Sequence, residues 1–155
     1  MTKRKQGGHA GFTLIEVLLV IGIITILAAI VIIAINPAFQ FAQSRNAQRW
    51  SNTNTILNAI HQYSVVHKGN IPSTITTTAT EICQNGVGGC SGLIDLGVLT
   101  QDEQYLVSLP IDPHCTSGYF CDDNGIHYTV RRTINNRITV EAPHAELSET
   151  ISVSR

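Results

Sequence analysis

Residues 17–35 read VLLVIGIITILAAIVIIAI, nineteen positions that carry no charge and include Thr25 as the one polar side chain. About 20 apolar residues in a helix are enough to cross the ~30 Å hydrocarbon core of a bilayer. The stretch therefore predicts a transmembrane helix. A conventional secretory signal has a shorter apolar region, about 7 to 15 residues, with small residues at a cleavage site after it. Asn36 and Pro37 follow here instead, although a plain signal anchor stays open on these features alone.

The charges around this stretch predict its orientation. Lys3, Arg4 and Lys5 precede it, and no basic residue follows immediately, which favours a cytoplasmic N-terminus and an exported C-terminal part. From Phe12 onward the chain has seven basic and eleven acidic residues, a formal charge of −4. That balance argues against a general polyanion-binding surface, so nucleic acid is not expected as a partner. A small group of cations near the hairpin could contact DNA, but a solvated surface is the favoured interpretation: Arg131, Arg132 and Arg137.

A polar segment with helical spacing follows the apolar run. Gly69 and Pro72 are typical residues for the end of such a helix. Pro37 lacks a backbone donor and crowds the preceding turn, so it favours a kink or a local break. We therefore expect one long helix over about residues 12–68, bent near Pro37. Its predicted inner stripe has spacings of three and four positions: Trp50, Thr53, Leu57, Ile60 and Ser64.

The C-terminal part favours strands. Residues 126–133 (IHYTVRRT) and 137–142 (RITVEA) alternate in polarity, and the asparagines of segment 134–136 suit the turn of a hairpin. The fold class predicted is α+β: a long N-terminal helix, transmembrane in its first half, packed on a small C-terminal antiparallel sheet.

Four cysteines lie after the apolar run, as expected for an exported domain in an oxidising compartment. Four cysteines allow three pairings. The short spacings and the intervening glycines favour local disulfides, Cys83 with Cys90 and Cys115 with Cys121. A crossed pattern that links the two pairs stays open.

The residues at the head of the apolar run, Gly11–Glu16, read GFTLIE. A carboxylate such as that of Glu16 is costly in a membrane segment and usually marks a function, although Glu16 also fits an interfacial residue before the span. Together, the basic leader, GFTLIE and the long apolar helix closely resemble the type IV pilin and pseudopilin family. Residues 109–113 (LPIDP), before the hairpin, are similar to a segment common in type II secretion major pseudopilins and related pilins.

The resemblance implies a processing step. A prepilin peptidase of the membrane would cut between Gly11 and Phe12, remove the leader (residues 1–11) and methylate the new amino group of Phe12. Glu16 would then be the fifth mature residue, and its carboxylate would pair with the free α-amine of a neighbouring subunit. A buried ammonium and a buried carboxylate each need an opposite charge, which agrees with this role.

The resemblance also implies a division of the chain. Residues 12–36 would form the transmembrane and assembly helix, and residues 37–155 the exported globular domain with the second half of the helix. The family commonly kinks this helix at a proline near mature position 22. That position is Ile33 here, and the proline comes four residues later, at Pro37.

The function expected from the resemblance is that of a structural subunit of a type IV pilus-like filament. Its partners would be identical or related subunits, the prepilin peptidase, an inner-membrane assembly platform and membrane lipid before assembly. It would be a single-pass membrane protein first, then part of an extracellular pilus or a periplasmic pseudopilus. Two alternatives stay open: a pseudopilin of a type II secretion system, and a signal-anchored surface-binding domain that does not polymerise.

No group of residues favours an enzyme, and we expect neither cofactor nor metal. The histidines are scattered, and the cysteine spacings do not match those of structural zinc sites. Asp112, Asp122 and Asp123 are the calcium candidates, because calcium takes several oxygens from a flexible loop. The last two also fit a normal turn before a strand.

Overall fold

The computed structural model describes residues 11–84, 90–115 and 124–155. The chain divides into two compact units, one ending at Gln40 and one extending from Phe41 to Arg155. The fold class is α+β, as the sequence predicts: a long apolar helix, a second helix and a small antiparallel sheet.

Helix α1 covers Leu14–Ile35 and contains the apolar run. Thr13 caps its N-terminus, because the Thr13 Oγ1 accepts a hydrogen bond from the backbone N–H of Glu16 at 3.3 Å. None of its side chains is buried. The helix is long enough and apolar enough to cross a membrane. So large an exposed apolar surface is unfavourable in water and suits a lipid environment.

The structure differs from the expected single helix at Asn36. Helix α1 ends at Ile35, Asn36 has left-handed backbone angles (φ 47°, ψ 80°), and helix α2 begins at Pro37 and extends to Val66. Proline suits the first position of a helix because it has no N–H to satisfy, and asparagine tolerates the left-handed region. Asn36 also caps α2, since its Oδ1 accepts from the N–H of Phe39 at 3.4 Å. The break therefore has a local cause in two adjacent residues.

The second unit contains the rest of α2, whose inner face carries both apolar and polar side chains. Thr53, Leu57 and Ile60 of the predicted stripe are buried, but Trp50 is 37% exposed. The helix ends close to the predicted position, where Gly69 has φ 90°. The buried residues of α2 are Ala42, Asn46, Arg49, Thr53, Ile56, Leu57, Ala59 and Ile60.

Four antiparallel strands form the sheet in sequence order. The predicted hairpin is present as β2 and β3, with Arg132 opposite Ile138. The two outer strands were not predicted from the sequence. The strands are β1 Thr80–Cys83, β2 Gly125–Arg132, β3 Ile138–Ala142 and β4 Ile151–Ser154.

The inner face of the sheet and α2 share one hydrophobic core. Ile56, Leu57 and Ile60 of α2 are fully buried against strand residues such as Tyr128 and Val140. Burying each aliphatic side chain of this size contributes about 1.5–3 kcal/mol relative to exposure. The core fixes the second helix on the sheet without help from α1.

Candidate functional site at the head of the apolar helix

The residues before α1 are accessible. Gly11 and Phe12 precede the helix, Thr13 is extended (φ −81°, ψ 149°), and the Phe12 side chain is 81% exposed. A side chain at position 11 would meet nothing within 4 Å, and Gly11 does not have a positive φ. Neither packing nor backbone conformation in the described chain therefore requires a glycine at this position.

Glu16 lies in the first turn of α1, where the positive end of the helix dipole favours an acidic residue. It shares a concave apolar surface with Phe12, Val17, Val20 and Ile21. Among the described residues, no ion pair or side-chain hydrogen bond involves its carboxylate. In an apolar environment this carboxylate needs a cation from another source.

Pro37, the predicted kink, is the first residue of α2. The helix break itself lies one residue earlier, at Asn36, as described above. The predicted site residues Gly11, Phe12 and Glu16 all lie at the opposite end of α1 from this break.

The structure contains the predicted disulfide between Cys83 and Cys90, with the two Cα atoms 5.5 Å apart. The local pairing is thus confirmed for these two cysteines. Cys121 lies outside the described residues, so the pairing of Cys115 with Cys121 stays a prediction.

The structure describes one of the three calcium candidates, Asp112. Asp122 and Asp123 lie outside the described residues. Asp112 is fully buried, and its two oxygens accept hydrogen bonds from Arg49. No cluster of three metal-ligating side chains occurs within residues 11–84, 90–115 and 124–155.

Sequence reasoning missed a polar cluster in the second unit. Arg45 donates two hydrogen bonds to Glu146, at 2.7 Å from Nε and 2.5 Å from Nη2. Arg49 donates to the same carboxylate from Nη1 at 2.8 Å. Asn46 Nδ2 donates to the backbone oxygen of Glu146 and to Glu149, each at 2.8 Å. The spacing of Arg45, Asn46 and Arg49 on one helical face was the available signal, but the partners lie about a hundred residues away along the chain.

These contacts change the acidity of Glu146. The hydrogen bond from Arg45 is the main cause that lowers the pKa of Glu146 from 4.5 to about 2; burial opposes it and Arg49 adds to it. Burial acts to lower the pKa of Arg49, but its hydrogen bonds to Asp112 and Glu146 outweigh burial and raise it. Glu146 and Arg49 are therefore charged at neutral pH and compensate each other. The cluster holds segment 146–149 on α2 and offers no free acid or base.

Comparison with known proteins agrees with the geometry at the head of α1. Residues 6–35 match the family model of the prokaryotic N-terminal methylation motif. This motif is the signature of type IV pilins and pseudopilins. No curated protein and no solved structure matches the chain. The N-terminal motif of the chain is thus similar to that of type IV pilins and pseudopilins, a family whose members are structural proteins.

Proposed function

We propose that the chain is made as a membrane-inserted precursor, cleaved after Gly11, methylated at Phe12 and polymerised through α1 into a type IV pilus-like filament. The observation that carries the proposal is Glu16: its carboxylate has no counter-ion among the described residues and lies at the head of an exposed apolar helix. Cleavage before Phe12 creates an α-ammonium group on Phe12, four residues before Glu16 in the sequence. Its positive charge is the one that the Glu16 carboxylate needs.

The pair must form between subunits for the filament to keep register. One subunit's Phe12 ammonium meets the Glu16 carboxylate of its neighbour inside a bundle of apolar helices. Either charge alone would cost several kcal/mol there. The pair therefore acts as a device that selects one axial position, as buried polar groups do in other helical assemblies. The exposed side chains of α1 become buried in lipid before assembly and in neighbouring helices afterwards.

The membrane partners follow from the same steps. A prepilin peptidase removes residues 1–11, lipid surrounds α1, and an assembly platform in the inner membrane extracts the subunit. Residues 37–155 are exported and end in an extracellular filament. A second destination is a periplasmic pseudopilus of a type II secretion system, favoured by the LPIDP segment at residues 109–113.

The test begins with intact mass and N-terminal sequencing of subunits in sheared filaments. We expect the chain to start at methylated Phe12; a start at Met1 or beyond Ile35 contradicts the proposal. The pseudopilus is favoured if overproduction of the secretion system yields filaments in the periplasm and none on the cell surface.

The charge pair is tested by Glu16→Leu. The variant should insert and be cleaved normally, because removal of a charge eases insertion, but assembly should fail. A matched control is Thr25→Val, since Thr25 satisfies its hydroxyl within α1 by donating to the oxygen of Ile21 at 2.7 Å. Thr25→Val should yield normal filaments. A normal yield from Glu16→Leu would remove the pairing role and leave only the membrane anchor.

A further inference from the structure

A polar groove lies between the loop after α2 and the turn between β2 and β3. Its volume is about 370 Å³, and its lining includes Asn70, Ser73, Arg132 and Asn136. This volume is at the lower end of the ~300–1,000 Å³ that binding pockets occupy, enough for one or two side chains. The groove belongs entirely to the second unit.

The groove is electropositive. Arg132 lines it, and within the described residues the Arg132 guanidinium has no ion-pair or hydrogen-bond partner. The neighbouring Arg131 differs, because its Nη2 pairs with Glu141 at 3.2 Å. The two segments that form the groove, residues 67–79 and 130–138, contain no acidic residue. A carboxylate is therefore the ligand that this groove fits.

The same chain presents such carboxylates on a turn. Asp102 and Glu103 are adjacent, exposed and both in the left-handed region, with φ 54° and φ 55°. Their carboxylates have no hydrogen-bond or ion-pair partner among the described residues. The surrounding segment, residues 90–111, contains no lysine or arginine. The turn is thus an acidic projection on the surface of the second unit.

We propose that the Arg132 groove of one subunit receives the Asp102–Glu103 turn of a second copy of the chain. No described ion pair joins the two surfaces within one molecule, so each surface is free to contact another copy of the chain. The two surfaces differ from each other, which makes the contact heterologous; such contacts propagate into helical filaments when the rotation does not close. Complementary charge fixes register and orientation at such an interface. The proposal rests on the proposed function and adds a contact between exported domains to the one made by α1.

Charge reversal on full-length precursor tests the contact. Arg132→Glu and Glu103→Lys should each reduce the yield of sheared filaments about tenfold, since like charges face each other across the interface. The combined variant Arg132→Glu/Glu103→Lys should restore the yield to within about twofold, because the pair is re-formed with exchanged signs. The matched control is Arg137→Glu, a cation on the same turn that does not line the groove; it should assemble like the wild type.

A second measurement does not depend on yield. Filaments carrying Arg132→Cys and Glu103→Cys, treated with a short bismaleimide reagent, should give a ladder of cross-linked subunits on denaturing gels. Each single cysteine variant should not. Intact mass spectrometry of each variant detects leader cleavage and so checks that the variant is inserted and stable.

Four outcomes overturn the proposal. Normal yields from both single reversals without a ladder show that the contact does not exist. A defect in Arg132→Glu that Glu103→Lys neither shares nor rescues identifies a different acidic occupant. A wild-type chain that forms no filament refutes the proposed function and this contact with it, whereas assembly that needs Glu16 but ignores Arg132 refutes the contact alone.

Discussion

Arg49 and Asp112 form a two-point ion pair in which neither side chain is exposed to solvent. Arg49 Nε donates to Oδ2 of Asp112 at 2.7 Å, and Arg49 Nη2 donates to Oδ1 at 3.0 Å. The pair connects α2 to the segment before β2, 63 residues later in the chain. This parallel geometry requires the planar guanidinium group of arginine, which a lysine ammonium cannot reproduce. The pair therefore links two distant parts of the exported unit in one arrangement.

Asp112→Ala should lower the free energy of unfolding by about 3–5 kcal/mol, because it leaves a buried guanidinium without its main partner. The matched control is Glu141→Ala, which breaks the more exposed pair with Arg131 and should cost less than about 1 kcal/mol. Urea unfolding of the full chain in detergent measures both. The fluorescence of Trp50, the single tryptophan, reports on this region because its Nε1 donates to Glu149 at 2.7 Å. Equal losses from the two variants would contradict the buried role of Asp112.

Glu146 predicts how stability depends on pH. Its pKa in the folded chain is about 2, lowered from 4.5 mainly by the hydrogen bond from Arg45. A lowered folded pKa means that the ionised carboxylate stabilises the fold above pH 4.5, and that this contribution is lost as pH falls from about 4.5 towards 2. Glu146→Gln should therefore be less stable than the wild type at pH 7, and the difference should shrink to near zero at pH 2. A difference that stays constant over this range would assign the loss to altered packing.

How much of this could be predicted from the sequence depends on the distance between the interacting residues. The apolar run and the Gly11–Glu16 motif are contiguous, so the candidate site could be recognised directly. The β2–β3 hairpin is local too, with its alternation and its asparagine turn. The outer strands have four residues each, too few for alternation to be distinguished from a loop.

The features that escaped the sequence are non-local or depend on one backbone angle. Arg49 looks like a surface residue of an amphipathic helix until its partners, Asp112 and Glu146, are placed beside it. The Arg132 groove likewise needs two segments about 60 residues apart to meet. The break at Asn36 depends on a left-handed residue before a proline, and the sequence allowed a kink there equally well.

Tyr128 provides a spectroscopic test of the core. It is fully buried on β2, and burial raises its pKa from 10 to about 12, although a hydrogen bond from Asn52 Nδ2 at 2.9 Å opposes the shift. The neutral phenol thus contributes stability that is complete below pH 10 and is lost as pH rises through 12. An ultraviolet titration of the folded chain should show a late-ionising tyrosine that Tyr128→Phe removes. The control Tyr63→Phe should leave that step in place, and its disappearance would contradict the assignment.

The Cys83–Cys90 disulfide should stabilise the exported unit despite its short loop. Cys83 is buried at the end of β1, where its N–H donates to the oxygen of Ile94 at 2.8 Å, so the bond ties the strand end to the chain that returns along it. Closing a loop of this size removes less chain entropy than closing a long one, and we expect about 2–3 kcal/mol in urea unfolding. Cys90→Ser is the informative variant because Cys90 is only partly buried, and it should lose that amount while Cys83 keeps its place in the core.

Non-reducing peptide mapping of exported wild-type protein should recover Cys83 joined to Cys90. A peptide that joins either cysteine to Cys115 or Cys121 would contradict the local pairing, and an unchanged unfolding midpoint in Cys90→Ser would show that the bond does not constrain the unfolded chain.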